Sequence, residues 1–91
     1  MILENDAGGI VAKDSNGAVI GEIIFFMTSE GVYKIKRTYV DPAQRGKGLA
    51  SQLMAAAVKK IAAEGGKIIP ACSYAEDWIS RHAEYSDMIA K

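Results

Sequence analysis

The hydrophobic pattern changes period once, at Asp41-Pro42, and that change sets the fold class. Upstream, Val32 to Val40 is β-branched and alternates, as a strand does. Downstream, Ala50, Leu53, Met54, Ala57, Val58 and Ile61 recur at i, i+3, i+4 spacing, which predicts a helix over 49–64. Gln52, Lys59, Lys60 and Ala63 face away from that stripe. Proline cannot continue a ladder and restricts the residue before it, so Asp41-Pro42 ends the strand. Residues 43–48, with two glycines, form the loop between. A chain of 91 residues buries only about 60–65% of its unfolded surface, so strands and helix must share one core. Residues 1–91 are therefore expected to form a single domain.

The flanking segments extend this pattern. Ile10-Val11-Ala12 is a short apolar run before Asp14-Ser15-Asn16-Gly17. Asn16-Gly17 is a strong two-residue hairpin signal, because both residues tolerate positive φ. Ala18 to Met27 reads as a strand, and Thr28 to Gly31 as a second turn. The expectation is an antiparallel three-strand meander over 9–40. Gly65-Gly66 stops the helix as a C′ glycine would, and Lys67 to Ala71 is a short strand. The chain from Val40 to Lys67 is long enough for a helical crossover, which predicts a parallel, right-handed connection. Ser73 and Glu76 make an S-x-x-E capping box, so a helix should start near Tyr74. Trp78, Ile79 and His82 share one face of it, and Tyr85, Met88 and Ile89 continue that face after a kink. The order β-β-β-α-β-α defines an α+β domain with a mixed sheet.

Composition removes several classes. Apolar residues are 49% and charged residues 24%, which excludes a disordered chain. No apolar run approaches the ~20 residues of a membrane span. The first residues lack the basic and apolar blocks of a signal peptide, so a soluble, cytoplasmic protein is expected. Cys72 is alone, which excludes an internal disulfide or a cysteine-rich zinc site. With His82 the single histidine, no metal site is expected. Net charge is zero but uneven. Residues 34–67 carry eight basic side chains against Asp41 and Glu64, a net +6 between acidic flanks. That argues against nucleic acid as the partner and suits a small multivalent anion.

The stretch Val40-Asp41-Pro42-Ala43-Gln44-Arg45-Gly46-Lys47-Gly48-Leu49-Ala50 carries the chemistry. Glycines let backbone N–H groups come close to a ligand. The helix N-terminus adds unpaired N–H groups and about half a positive charge. Arg45 and Lys47 add full charges, and the whole suits a pyrophosphate. It is not a P-loop, because Leu49-Ala50 follows Gly48 where Lys-Ser/Thr would be required. Nor is it a dinucleotide fingerprint, because position 51 is Ser and the upstream strands form a meander. The alternative is a plain helix-entry loop whose glycines serve the turn.

Arg45-x-x-Gly48-x-Ala50, after Thr38-Tyr39-Val40, resembles the [QR]-x-x-G-x-[GA] signature of the GNAT (N-acetyltransferase) superfamily. Ile69-Pro70-Ala71-Cys72-Ser73-Tyr74 and His82-Ala83-Glu84-Tyr85 resemble its short, single-domain YjdJ-type branch. The likeness spans about residues 10–89. It implies a GNAT-like mixed sheet in which two parallel strands, Thr38–Val40 and Lys67–Ala71, splay apart around acetyl-coenzyme A. It implies that Arg45, Gly46, Lys47, Gly48, Leu49 and Ala50 hold the pyrophosphate, with Thr38 and Val40 along the pantetheine arm. The implied activity is acetyl transfer from acetyl-coenzyme A to an amine, thiol or protein acceptor by direct attack on the thioester, or by way of Cys72. Tyr74, Tyr85 and His82 are the candidate proton carriers beside Cys72. Each has an ordinary structural alternative: a small buried thiol, core tyrosines, a helix-face histidine. Arg37, Tyr39 and Ala83 stand where that branch often carries His, sometimes Glu, and usually Pro, which leaves a non-catalytic acetyl-CoA-binding module as the alternative. So short a chain would take a second copy, as a homodimer, to wall its pocket.

Overall fold

A computed structural model describes residues 1–6 and 8–90. The chain runs β1 (Ile2–Asp6), β2 (Gly9–Lys13), β3 (Val19–Ser29), β4 (Val32–Val40), α1 (Leu49–Ala63), β5 (Lys67–Pro70) and α2 (Ser73–Ser80). Short 3-10 turns cover Pro42–Gln44 and Ala83–Met88. The strands form one sheet in sequence order. The first four are antiparallel, and β5 lies parallel to β4 after the α1 crossover. The meander thus has four strands rather than three. β1 pairs Ile2 to Asp6 with Lys13 to Gly9, and Lys13 Nζ meets Glu4 Oε1 at 3.1 Å. All five of its side chains are exposed, so no alternation marks it in the sequence. No helix of the described residues is long and apolar enough to cross a membrane.

The β2–β3 connection is also longer than a two-residue hairpin. Asp14 Oδ1 accepts from the N–H groups of Asn16 (2.9 Å) and Ala18 (3.0 Å), while Gly17 takes φ 83°. The Asp14 carboxylate, an Asx-type organiser, sets this five-residue loop. β3 runs on to Ser29, so the next turn is confined to Glu30-Gly31.

Both helices cover one face of the sheet. α1 buries Leu49, Leu53, Met54, Ala57, Val58 and Ile61 against Ile10, Ala12, Ile23, Phe25 and Ile35. The expected stripe holds, except that Leu49 takes the first buried position and Ala50 stays partly open. α1 passes close over Gly21, where a Cβ would lie 3.1 Å from a Leu49 methyl and 3.2 Å from a Leu53 methyl. Trp78 and Ile79 of α2 complete the core, with Tyr85, Met88 and Ile89 packed at its border.

A bulge in β4 decides which of its residues face the helices. Phe25 pairs with Ile35 and Ile24 with Arg37, so Lys36 is the extra residue. A bulge shifts the alternation by one. Thr38, opposite core residue Ile23, and Val40, opposite Gly21, therefore turn to the α1 side. Arg37 and Tyr39 take the uncovered face, where Arg37 lies 5.9 Å from the Tyr39 ring centroid. Pairing with β5 stops at Ile35–Pro70, followed by one bond from Ala71 N–H to Ile35 C=O. Beyond it β4 continues to Val40 while β5 turns into α2, and the two strands part.

Candidate functional site

A cleft of about 330 Å³ opens where β4 and β5 separate. Thr38, Tyr39 and Val40 form one wall, Gln44, Arg45, Gly46, Gly48, Leu49, Ala50 and Ser51 the loop and helix end, and Tyr74 the α2 side. Local chemistry explains the loop. Asp41 N–H donates to Ile20 C=O, and Asp41 Oδ1 accepts from Ala43 N–H, which fastens the 3-10 turn to β3. Arg45 then folds back, its Nε donating to Val40 C=O at 3.3 Å. Gly46 and Gly48 adopt φ 80° and 79°, a left-handed backbone that favours glycine. These two reversals deliver the chain to the first turn of α1.

That helix end is bare. Gly48 is the N-cap, no side chain caps it, and no acidic residue lies in the first turn. Gln52 N–H, bonding to Gly48 C=O at 3.1 Å, is the first amide of the helix with a partner. Among the described residues, the N–H groups of Gly46 to Ser51 donate to no protein acceptor. Among the described residues no carboxylate lines the cleft, while Arg45 does. Free N–H groups, the positive end of the helix and a guanidinium make an anion site. Thr38 adds a buried hydroxyl with no hydrogen-bond partner at the point where the strands part. The cleft thus offers an unpaired hydroxyl where the strands part and free N–H groups at its loop end.

The expected cofactor residues come together, all but Lys47 lining the cleft. Lys47 is exposed on the same loop. The candidate proton carriers do not all converge. Tyr74 lines the cleft. Burial pushes its phenol above the usual range, and Asp77 adds to that, while the Ser51 hydroxyl and the Arg81 charge act the other way. Cys72 is instead the N-cap of α2, its Sγ accepting from Ala75 N–H at 3.4 Å. The S-x-x-E box is displaced by one residue, because Cys72 holds the extended cap conformation and Ser73 is already helical. His82 stacks on Trp78, ring centroids 3.7 Å apart, with Nδ1 donating to Trp78 C=O at 2.7 Å. Tyr85 stacks on Trp78 at 5.9 Å. These three lie outside the lining of the cleft. Gln44, Tyr39 and Ser51 line it without having been singled out. Gln44 sits inside the stretch that carries the motif, Tyr39 directly precedes it, and Ser51 directly follows it.

Comparison with known proteins agrees with this geometry. A family model described as GCN5-related N-acetyl-transferase matches residues 10–88. The chain belongs to that family, and so to the acyltransferases that draw on acyl-coenzyme A. The match is to the family at large and does not single out the YjdJ-type branch. Among solved structures, a GCN5-like protein from Staphylococcus aureus superposes with a TM-score of 0.78 at 23% identity, covering 98% of this chain and 87% of its own. The ribosomal-protein-alanine N-acetyltransferase of Brucella melitensis biovar Abortus 2308 gives 0.58 at 22% identity, over 90% and 62% of the two chains. AAC(6')-Iy, solved with the bisubstrate analogue CoA-S-monomethyl-acetylneamine, gives 0.56 at 21% identity, over 90% and 60%. These likenesses establish the shared fold. A search of the curated proteins finds no match to this chain.

Proposed function

We propose that this domain moves an acetyl group from acetyl-coenzyme A to a primary amine that attacks the thioester directly. The observation that carries the proposal is the uncapped N-terminus of α1, opening beside Arg45 into a cleft with no carboxylate. The N–H groups of Gly46, Gly48, Leu49, Ala50 and Ser51 hold the diphosphate, and Lys47 adds charge at the rim. Thr38 and Val40 take the pantetheine arm as an added strand would be taken. The thioester then sits toward the end of the cleft where Tyr74 stands. Acetyl-coenzyme A supplies the activated acyl carbon, and the protein supplies position and a proton.

Nitrogen must lose two protons and sulfur must gain one. An alkyl ammonium with a pKa of ~10.4 is neutral in only about one molecule in 2,500 at pH 7. Among the described residues no carboxylate or histidine lines the cleft to act as a base, so the amine enters already neutral, its proton left to water. As nitrogen bonds to the acyl carbon and the C–S bond breaks, the Tyr74 O–H proton passes to sulfur, and nitrogen sheds its second proton to water to become the amide. A phenol is protonated at neutral pH and can give its proton to sulfur; burial makes it a weaker acid, and the Ser51 hydroxyl works against that. Cys72 serves as a helix cap and is not required as a nucleophile.

The test is an amide-shift map recorded with coenzyme A, followed by transfer assays across an amine panel. Shifts centred on Gly46, Gly48 and Ala50, with transfer that rises with pH, support the reading. Unmoved amides at millimolar coenzyme A end it. The placement of Cys72, His82 and Tyr85 away from the cleft favours one alternative, an acetyl-CoA-binding module without turnover. Tight calorimetric binding with no transfer to any acceptor selects that alternative.

A further inference from the structure

Ser51 stands in the first turn of α1 with its side chain at the cleft wall, and Trp78 holds its hydroxyl. Trp78 Nε1 donates to Ser51 Oγ over 3.0 Å. The indole is 6% exposed, with His82 stacked within 12° of parallel and Tyr85 within 21°. His82 is in turn fixed by its bond to Trp78 C=O. An indole N–H can only donate. It therefore occupies a lone pair of Ser51 and leaves the serine hydrogen to seek another acceptor. Tyr74 lies one turn before Trp78 on α2 and lines the same cleft as Ser51.

We infer that Trp78 is a positioning residue: it turns the Ser51 hydroxyl toward the Tyr74 oxygen and leaves the Tyr74 O–H aimed into the cleft. The hydrogen-bond arrangement belongs to the free protein. Its consequence for catalysis rests on the function proposed above. When the Tyr74 proton passes to the leaving sulfur, the phenolate left behind accepts from Ser51 and then recovers a proton from water. The direction agrees with the effect of Ser51 on Tyr74, which favours the ionised form against burial. The other charges facing Tyr74 are Asp77 and Arg81 on its own helix, which pair with each other at 3.2 Å, and Arg45 on the loop. The test variants leave all three in place.

Trp78→Phe keeps a stacking ring and removes the N–H. The four tyrosines, labelled at Cζ, are titrated by NMR in the free protein, with Tyr74→Phe to assign the signal. The expected result is that Tyr74 ionises at higher pH in Trp78→Phe and in Ser51→Ala. The double variant shifts it no further than the larger single change. Additive shifts, or an unchanged Tyr74 titration, overturn the inference. A second measurement does not depend on the folding of Trp78→Phe. The chain has one tryptophan, so its indole N–H signal in Ser51→Ala is unambiguous. It should move upfield and exchange faster, and an unmoved signal overturns the inference. In transfer assays, Trp78→Phe should lower kcat by roughly three- to tenfold, the scale of one hydrogen bond, with KM for acetyl-coenzyme A unchanged. A raised KM at constant kcat overturns it. Absence of transfer in the parent protein counts against the proposed function alone, and the titration still decides the role of Trp78.

Discussion

The two ends of α1 use the same residues for opposite purposes. Each carries a pair of glycines, Gly46 and Gly48 before it and Gly65-Gly66 after it. At the C-terminal end the glycine amides are bonded. Gly65 N–H bonds to Ala62 C=O and Gly66 N–H to Ile61 C=O, both at 2.9 Å, the paired bonds of a Schellman stop. Gly66 is buried, and Tyr33 O–H donates to Glu64 Oε1 at 2.9 Å. Lys60 in the last turn complements the dipole. At the N-terminal end the glycines turn the chain but close nothing. The amides point to no acceptor, and the usual Ser, Thr or Asp cap is missing. α2 shows that a cap was available to this chain, because Cys72 and Glu76 serve its first turn. A glycine pair is thus a stop where its amides are bonded and a site where they are left free.

The strongest way to break this contrast is to close the open end. Ala50→Glu places a carboxylate in the first turn of α1, which suits the helix and opposes a diphosphate. Affinity for coenzyme A, read by calorimetry, should fall roughly 30-fold, about 2 kcal/mol, with no loss in Tm. Equal affinity would mean that the helix end does not bind the anion. The converse change acts on the closed end. Gly66→Ala puts a Cβ 2.9 Å from an Ile61 methyl and 3.2 Å from the Tyr33 ring. It should cost about 1–3 kcal/mol in denaturant unfolding and leave coenzyme A affinity unchanged. Gly65→Ala, at φ 70°, should cost about 1–2 kcal/mol by the same readout, again without touching binding.

Smaller effects sharpen the picture. Cys72→Ser exchanges a weak cap for a preferred one, so stability should hold or rise by about 0.5 kcal/mol, with transfer retained. Loss of transfer in a folded Cys72→Ser protein would make the thiol a nucleophile. The smallest effect is in pH. Tyr33 titrates above its ordinary value because it donates to Glu64, with burial and the Glu64 charge adding to that. A raised phenol pKa stabilises the fold below the unfolded value of 10.0, and that contribution is lost as pH climbs through the folded value. Unfolding free energy should therefore decline above about pH 10, less steeply in Tyr33→Phe.

Much of the site could be read from the chain, because its parts lie close together in sequence. Arg45, Gly46, Gly48, Leu49 and Ala50 follow one another between a strand and a helix, and they line the cleft as expected. Tyr74 was visible as a candidate but not distinguishable from Tyr85 or His82, since sequence spacing does not say which of them a tertiary neighbour brings to the cleft. β1 left no trace, because an edge strand with every side chain exposed needs no apolar alternation. The cap of α2 moved from Ser73 to Cys72 for a similar reason. Both can accept a hydrogen bond, and backbone conformation chose the one that stayed extended.

The order of amino acids by itself determined the change of period at Asp41-Pro42, the apolar stripe of α1 and the glycines at both of its ends. Those are local properties, set by side-chain spacing and by which residues tolerate a left-handed backbone. Tertiary structure alone decided the bulge at Lys36, which turns Thr38 and Val40 toward α1, and the parting of β4 from β5 that sets them near Tyr74. Register between strands is a property of the pair, and a slip of one residue exchanges the two faces. Neither strand carries that information alone.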